Sequence, residues 1–223
     1  MRLIWLAIPL LLGACAHVEG ASNQPPPFAT ADTAPPTAAA TYPTELNLPA
    51  GAYRLDPRHT SVIFRIRHMD MAWFTGRFDV KDATLELDPA DPSRSHLTAS
   101  VGTDSVNTGL VNAQGERSFD HSIGRALGAE AATSITFAST AITRTGEHTA
   151  EVTGDLTLNG QTHPATLEVT FDGGAVDPLR GANQVLGFSA HATIHRSDWG
   201  VRQWLAFTGD EVQLVIEAEF VKA

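Results

Sequence analysis

Histidine, aspartate and serine are the residues of this chain that could do chemistry, and their spacing decides which chemistry is open to them. The 223-residue sequence holds nine histidines. His191 and His195 fall on one face of a strand-like run, but four residues along a strand separate them by ~13 Å. Zinc ligands must converge to within ~2.1 Å of one ion, and no His-Glu-x-x-His pattern or cysteine cluster is there to complete a site. The reading is no metal. Asp56 with His59, and Asp120 with His121, offer acid–base pairs, while Ser61 and Ser197 offer hydroxyls. None stands in a nucleophile elbow or another context that fixes a triad. The plainer reading is structural: Asp56-Pro57 begins a turn, His59 enters a strand, and Ser197-Asp198 satisfies backbone donors beside Gly200. The expectation is no catalytic residue and no enzyme.

The elements around these residues are strands. After Ala50 the apolar residues recur with period two, as in strands with one buried and one wet face. Val62, Phe64 and Ile66 point one way, Arg65 and Arg67 the other. The alternation continues through Phe74, Gly76, Phe78 and Val80, Leu85 and Leu87, then Leu97, Ala99 and Val101. It returns at Ile135 and Phe137, Val152 and Leu156, Leu167, Val169 and Phe171, Phe188 and Ile194, and Val212, Leu214 and Ile216. About nine such runs are separated by turn residues at 88–92, Asn159-Gly160 and Asp172-Gly173-Gly174. Many short strands without βαβ crossovers predict an all-β protein, an antiparallel barrel or sandwich. Residues 111–133, with several small residues and the run from Arg125 to Ala132, break the pattern and read as a loop with a short helix, either a cap on one barrel end or a lid over the lumen. Trp73, Trp199, Trp204 and Phe207 read as barrel-end packing in preference to ligand contacts. Arg196 reads as one half of a buried ion pair, although a barrel-mouth arginine would also suit a polar headgroup.

Composition narrows the partners. The chain is 43% hydrophobic and carries a formal charge of -10, with no cluster of Lys or Arg. Phosphate neutralisation needs such clusters, so nucleic acid is excluded. The single cysteine, Cys15, rules out an intrachain disulfide. Arg2 precedes an apolar stretch, residues 3–12, that is too short to span a bilayer but suits a secretory signal core. The following Leu12-Gly13-Ala14-Cys15 resembles the bacterial lipobox, which implies a signal peptide over residues 1–14 and a diacylglyceryl group on Cys15. Ala16, in place of an aspartate retention signal, implies by the same resemblance a periplasmic location, anchored at the outer membrane. Residues 15–50 are rich in Ala, Thr and Pro and read as a disordered tether with a contour of roughly 100 Å. Residues 51–223 form the folded domain.

Three separated motifs in that domain resemble one family. Tyr53-Arg54-Leu55-Asp56-Pro57-Arg58-His59-Thr60-Ser61-Val62-Ile63-Phe64, continuing to His68, looks like the opening of the YceI-like, polyisoprenoid-binding family. Gly154-Asp155-Leu156-Thr157-Leu158-Asn159-Gly160-Gln161-Thr162 is similar to its hairpin. The stretch from Gly187-Phe188-Ser189-Ala190 through Thr193-Ile194-His195-Arg196-Ser197-Asp198-Trp199-Gly200 is similar to its near-terminal strand and turn. The resemblance implies an extended lipocalin-like antiparallel β-barrel of about eight strands with a short helix or loop near one end. Its lumen would hold a long isoprenoid chain. One segment departs: in the family an Asp-x-His-Leu-Arg cluster and a paired-Phe element follow the fifth or sixth strand, whereas this chain reads Glu116-Arg117-Ser118-Phe119-Asp120-His121-Ser122. His121 matches, and the Phe pair is absent.

An eight-stranded barrel encloses enough space for packed side chains or one slender ligand. The candidate lumen residues are Val62, Phe64, Ile66, Phe78, Phe137, Leu156, Val169, Phe188, Ile194 and Leu214. The first functional expectation is non-enzymatic carriage of a polyisoprenoid or isoprenoid quinone, with no cofactor and with membrane contact through the N-terminal lipid anchor. The second is a ligand-free envelope interaction module with a filled core. The third is a lipid-acting enzyme, which would need convergent polar groups of perturbed protonation inside the tube. Lumen volume separates the first two.

Overall fold

The structure, a computed structural model, describes residues 48–181 and 183–223. The signal segment, Cys15 and the tether up to residue 47 lie outside the described residues. Eleven strands follow in chain order: β1 (Gly51–Leu55), β2 (Ser61–His68), β3 (Ala72–Phe78), β4 (Lys81–Leu87), β5 (His96–Gly102) and β6 (Val106–Asn107), then β7 (Ser134–Arg144), β8 (Thr149–Leu158), β9 (Gln161–Asp177), β10 (Asn183–His195) and β11 (Thr208–Lys222). Among the described residues one α-helix, α1 (Ser118–Ala126), stands between β6 and β7.

Eight of these strands close a ring in the order β1-β4-β5-β7-β8-β9-β10-β11, with β11 returning to β1. Every pairing is antiparallel. Closure removes the exposed sheet edges that would otherwise invite aggregation. The remaining strands form a flap, β2-β3-β6, because the long strand β11 has two partners along one edge. Its last residues pair with β1 (Leu55↔Phe220) and its earlier ones with β2 (Phe64↔Leu214).

The switch from β1 to β2 is made by local chemistry. The Asp56 carboxylate accepts from Arg58 N at 2.9 Å and caps a 3-10 turn over Pro57–His59, where proline at the first position gives up no needed donor. Asp56 N donates to Glu219 O at 2.8 Å, which keeps the chain on β11 while it steps over. His59 therefore sits in this turn, and the strand begins at Ser61.

The period-two pattern decides which side chains face inward. Three apolar clusters result. One gathers Phe137, Leu156, Leu158, Ile194, Trp199 and Val201, a second Tyr53, Leu85, Leu186 and Phe220, and a third Phe78, Val106 and Ile123. The Asn159-Gly160 signal forms the β8–β9 hairpin with φ of 51° and 71°, as a two-residue turn of that type requires.

Two further sequence expectations are corrected, and the expected helix is given its bounds. Asp172-Gly173-Gly174 is no turn but lies inside β9, where the register with β10 shifts beside Gly187 and Gly173 adopts φ 147°. Glycine absorbs the bulge and the strand runs on, so the reversal waits for Pro178–Arg180 and Gly181. The short helix expected within 111–133 covers residues 118–126 and includes only the start of the Ala-rich run from 125. That run holds Gly128 at φ 90° and forms turns, with Gly128 N bonded to Arg125 O and Ala129 N to Gly124 O. Val80 leaves the alternation and is exposed, since β3 ends at Phe78 and the chain bends there into β4.

Candidate functional site: an apolar tube with two unlike ends

A cavity of about 670 Å³ runs through the barrel. All ten lumen candidates line it: Val62, Phe64, Ile66, Phe78, Phe137, Leu156, Val169, Phe188, Ile194 and Leu214. Each occupies an inward parity position of its strand, and all eight ring strands contribute further lining residues, such as Leu55, Leu85, Leu97, Ile142, Val152, Leu167, Ala192 and Phe220. The polar lining groups are few beside the apolar ones; they include His68 and Thr208 at the β2 and β11 ends near α1, Ser95, Arg144, Glu147, His148 and Thr149 at the opposite turns, and Thr60, Lys81, Asp82, Ser100, Thr136 and Arg196. The rest of the wall is aliphatic and aromatic, as a hydrocarbon chain requires.

Two glycines set the width of the tube. A Cβ on Gly76 would collide with the ring of Phe64, its partner across β2–β3. A Cβ on Gly154 would collide with the ring of Phe137 and with Ala138 O. Each phenyl ring thus reaches over a glycine on the neighbouring strand, into space that a Cβ there would take. Gly76 was visible in the sequence as a gap between Phe74 and Phe78, but its meaning depends on a cross-strand partner.

At the α1 end the helix does both things the sequence left open. Ile123 packs with Phe78 and Val106 and so closes part of the opening, while Phe119, Ile123, Ala126 and Leu127 line the cavity. The helix is held by Asp120, buried to 3% exposure. Its carboxylate accepts from Thr108 Oγ1 at 2.6 Å, Thr108 N at 3.1 Å and Arg117 Nε at 2.6 Å. Burial pushes its pKa up, but these hydrogen bonds and the Arg117 charge outweigh it and leave the pKa below the ordinary carboxylate value. Asp120 is therefore an anchor, and His121 beside it is exposed.

Arg196, 6% exposed, organises the rest of this end. Nε donates to Gly209 O at 3.0 Å, Nη1 to Gln203 O at 2.6 Å and Val201 O at 3.3 Å, and Nη2 to Thr208 Oγ1 at 2.7 Å. The expected ion pair is replaced by backbone carbonyls, because the 201–209 turn offers a ring of acceptors that one planar guanidinium can satisfy. Burial lowers its pKa, partly offset by the Asp210 charge. Ser197 uses Asp210 as its own partner, from N at 2.9 Å and Oγ at 2.7 Å. That pairing spans thirteen residues and left no local signal.

The large aromatics divide. Trp199 is buried, with Nε1 donating to Leu156 O at 2.9 Å, and Trp73 is stacked by Arg65 and Arg67 on the outer face. Trp204 lines the cavity and Phe207 is exposed, so these two are not barrel-end packing. Phe74, Phe119 and Trp204 form a chain of ring contacts, 5.8 and 6.3 Å between centroids.

The acid–base and metal candidates are placed apart from the tube. His59 Nδ1 lies 2.8 Å from Asp56 Oδ2 and 3.8 Å from Glu219 Oε2. Asp56, His59 and Glu219 bring one ligand atom each to within 4.8 Å of the others. The Asp56 carboxylate is already committed to the turn and to His59, which makes the group a strand-switch clasp. His191 and His195 project from the exposed face of β10. Ser61 begins β2, and Ser197 lies within the 3-10 turn Arg196–Trp199.

A family model described as "YceI-like domain" matches residues 53–220. Protein YceI of Salmonella newport is 33% identical over 175 residues, spanning 78% of this chain and 88% of that protein. Among solved structures, Burkholderia cenocepacia BcnA superimposes with a TM-score of 0.63 at 21% identity, over 74% of this chain and 98% of the other. A Saccharophagus degradans domain described as polyisoprenoid-binding superimposes with a TM-score of 0.54 at 14% identity, over 78% of this chain and 100% of the other. The barrel, the three motifs in their order and this shared extent agree, and the chain belongs to the YceI-like family.

Proposed function

We propose that the protein binds and carries a long-chain isoprenoid lipid, a polyisoprenoid or an isoprenoid quinone, in the barrel lumen without catalysing a reaction. The observation that carries this reading is the 670 Å³ cavity, whose wall is overwhelmingly aliphatic and aromatic. At roughly 25 cal/mol per Å², several hundred Å² of buried tail contributes on the order of 10 kcal/mol before ordering costs. The polyisoprenoid-binding neighbour in Saccharophagus degradans supports the same ligand class. The ten inward residues named above are the proposed ligand contacts. Acylated Cys15 and the Pro-rich tether would hold the barrel in the periplasm at the outer membrane.

Against catalysis, the carboxylates with displaced protonation hold loops in place, as Arg196 holds the 201–209 turn: Asp79 bonds Asn107 and Arg77, Asp120 bonds Thr108 and Arg117, and Asp210 bonds Ser197. The test is organic extraction of the purified chain followed by mass spectrometry, with an isoprenoid near one equivalent as the expected result. Phe64→Arg should abolish it, since a guanidinium in a dry lumen is strongly disfavoured. Gly76→Ala should lower it, because the added methyl drives the Phe64 ring into the tube. A folded protein that yields no lipid and takes up no added polyprenol would overturn carriage and favour the interaction module.

A further inference from the structure

We propose that the α1 end of the barrel is a bilayer-docking surface through which the lipid enters and leaves. This deepens the carriage reading and rests on it. The exposed apolar side chains of this end come from three separate stretches: Met69 and Met71 at the β2–β3 turn, Phe119 at the start of α1, and Trp204, Leu205 and Phe207 before β11. They form one surface. Met69 N donates to Phe207 O at 2.8 Å, and Phe119 lies 6.3 Å from Trp204.

That surface is continuous with the lumen, because Phe119 and Trp204 line the cavity and Phe119 meets the lining residue Phe74 edge-on at 5.8 Å. An apolar chain released into water would lose the whole benefit of burial. With the mouth seated in a bilayer, it passes from one apolar medium to another. The committed occupant is therefore a phospholipid bilayer, and the chemistry of the rim fits it. Tryptophan and other apolar side chains suit the headgroup boundary, and the exposed Arg202 and the Arg67 guanidinium, bonded to Asp70 O, stand beside the apolar tip where lipid phosphates would lie. Asp70, the carboxylate between the two methionines, belongs in the same headgroup layer. Met69, Asp70 and Trp204 adopt φ of 51°, 54° and 60°, a region that L side chains rarely occupy. The tips are thus held in shape by the fold in spite of local preference.

The test uses the full chain with Cys15→Ser, so that an introduced cysteine is the only thiol. Met71→Cys and, at the opposite end, Leu179→Cys are each labelled with an environment-sensitive NBD fluorophore; these positions are 71% and 94% exposed, so neither change disturbs the core. With phosphatidylcholine–phosphatidylglycerol vesicles the label at 71 should brighten severalfold and shift to the blue, while that at 179 stays unchanged. Met69→Asp in the Met71→Cys background should abolish the response. Equal responses at both ends, or none at 71, would overturn docking. Extraction of the same labelled proteins separates the two readings: bound isoprenoid without a response at 71 defeats docking alone, and a response at 71 without isoprenoid sustains docking and defeats carriage.

Discussion

The two ends of the barrel are built on different principles. At the far end the turns are short and satisfy themselves. Asp91 caps its own 3-10 turn by accepting from Ser93 N at 3.2 Å and Ser93 Oγ at 2.6 Å, and Arg144 donates to Glu147 O at 2.9 Å within its hairpin. At the α1 end, long irregular segments are gathered by two central groups, Asp120 and Arg196, that reach across ten or more residues. A self-capped turn costs little to hold and offers little to bind. A gathered loop spends buried polar groups to hold apolar side chains outward, and only a functional opening gives that arrangement a use. Under the proposed carriage, this difference favours the α1 end as the working end of the tube.

Arg196 should break that comparison most severely. Arg196→Met keeps much of the stem volume but leaves the carbonyls of Val201, Gln203, Thr208 and Gly209 without their shared donor. Unsatisfied buried acceptors and the loss of a buried charged hydrogen-bond centre together cost about 3–5 kcal/mol. Urea unfolding followed by circular dichroism reads the loss as a lower midpoint. An unchanged midpoint would mean that the 201–209 turn holds itself, and the two ends would then be alike.

Asp120 comes next, and acid should act on it selectively. Its folded pKa lies below the ordinary value, so its contribution is complete above the usual carboxylate range, about pH 4. That contribution is lost as the pH falls through the lowered folded value. Asp120→Asn should remove about 2 kcal/mol at neutral pH and flatten this acid dependence. Amide hydrogen exchange of α1 measured against pH is the check: protection of residues 118–126 should fall in acid before that of β8 and β9. Simultaneous loss in both regions would show that the helix is no separate unit.

The sequence discloses the tube better than its mouth. Inward positions follow from period two, which each strand carries locally, and so Val62, Phe64 and Ile66 could be placed on one face from their own spacing. The Asn159-Gly160 turn was legible for the same reason, since two residues determine it. What stayed hidden depends on partners distant in the chain. Gly173 reads as a turn residue until Gly187 is seen beside it, and Arg196 reads as half of an ion pair until the 201–209 carbonyls surround it. Trp204 and Phe207 carry no periodicity that would separate packing from exposure. The helix is legible within 111–133 but its bounds are not, because Ala-rich residues 125–132 have the stronger propensity, whereas Asp120 and its tie to Thr108 decide where the turn of helix forms.

The smallest effect is expected at the far end, where Asp91→Ala removes one exposed cap. The carboxylate accepts from Ser93 N and Ser93 Oγ, and the loss of such a cap costs about 1 kcal/mol or less, since water can replace both bonds. Pro92, locked near the backbone angle that the 3-10 turn needs, keeps the turn biased toward its native form without the cap. Pro92 also lines the cavity, so a turn that did open would change the tube there. Thermal unfolding should therefore move by only a few degrees, and the amount of lipid extracted from Asp91→Ala should equal that from the unmodified chain. Loss of lipid from this variant, with the fold intact, would make the far end a working end too and erase the asymmetry on which the docking surface depends.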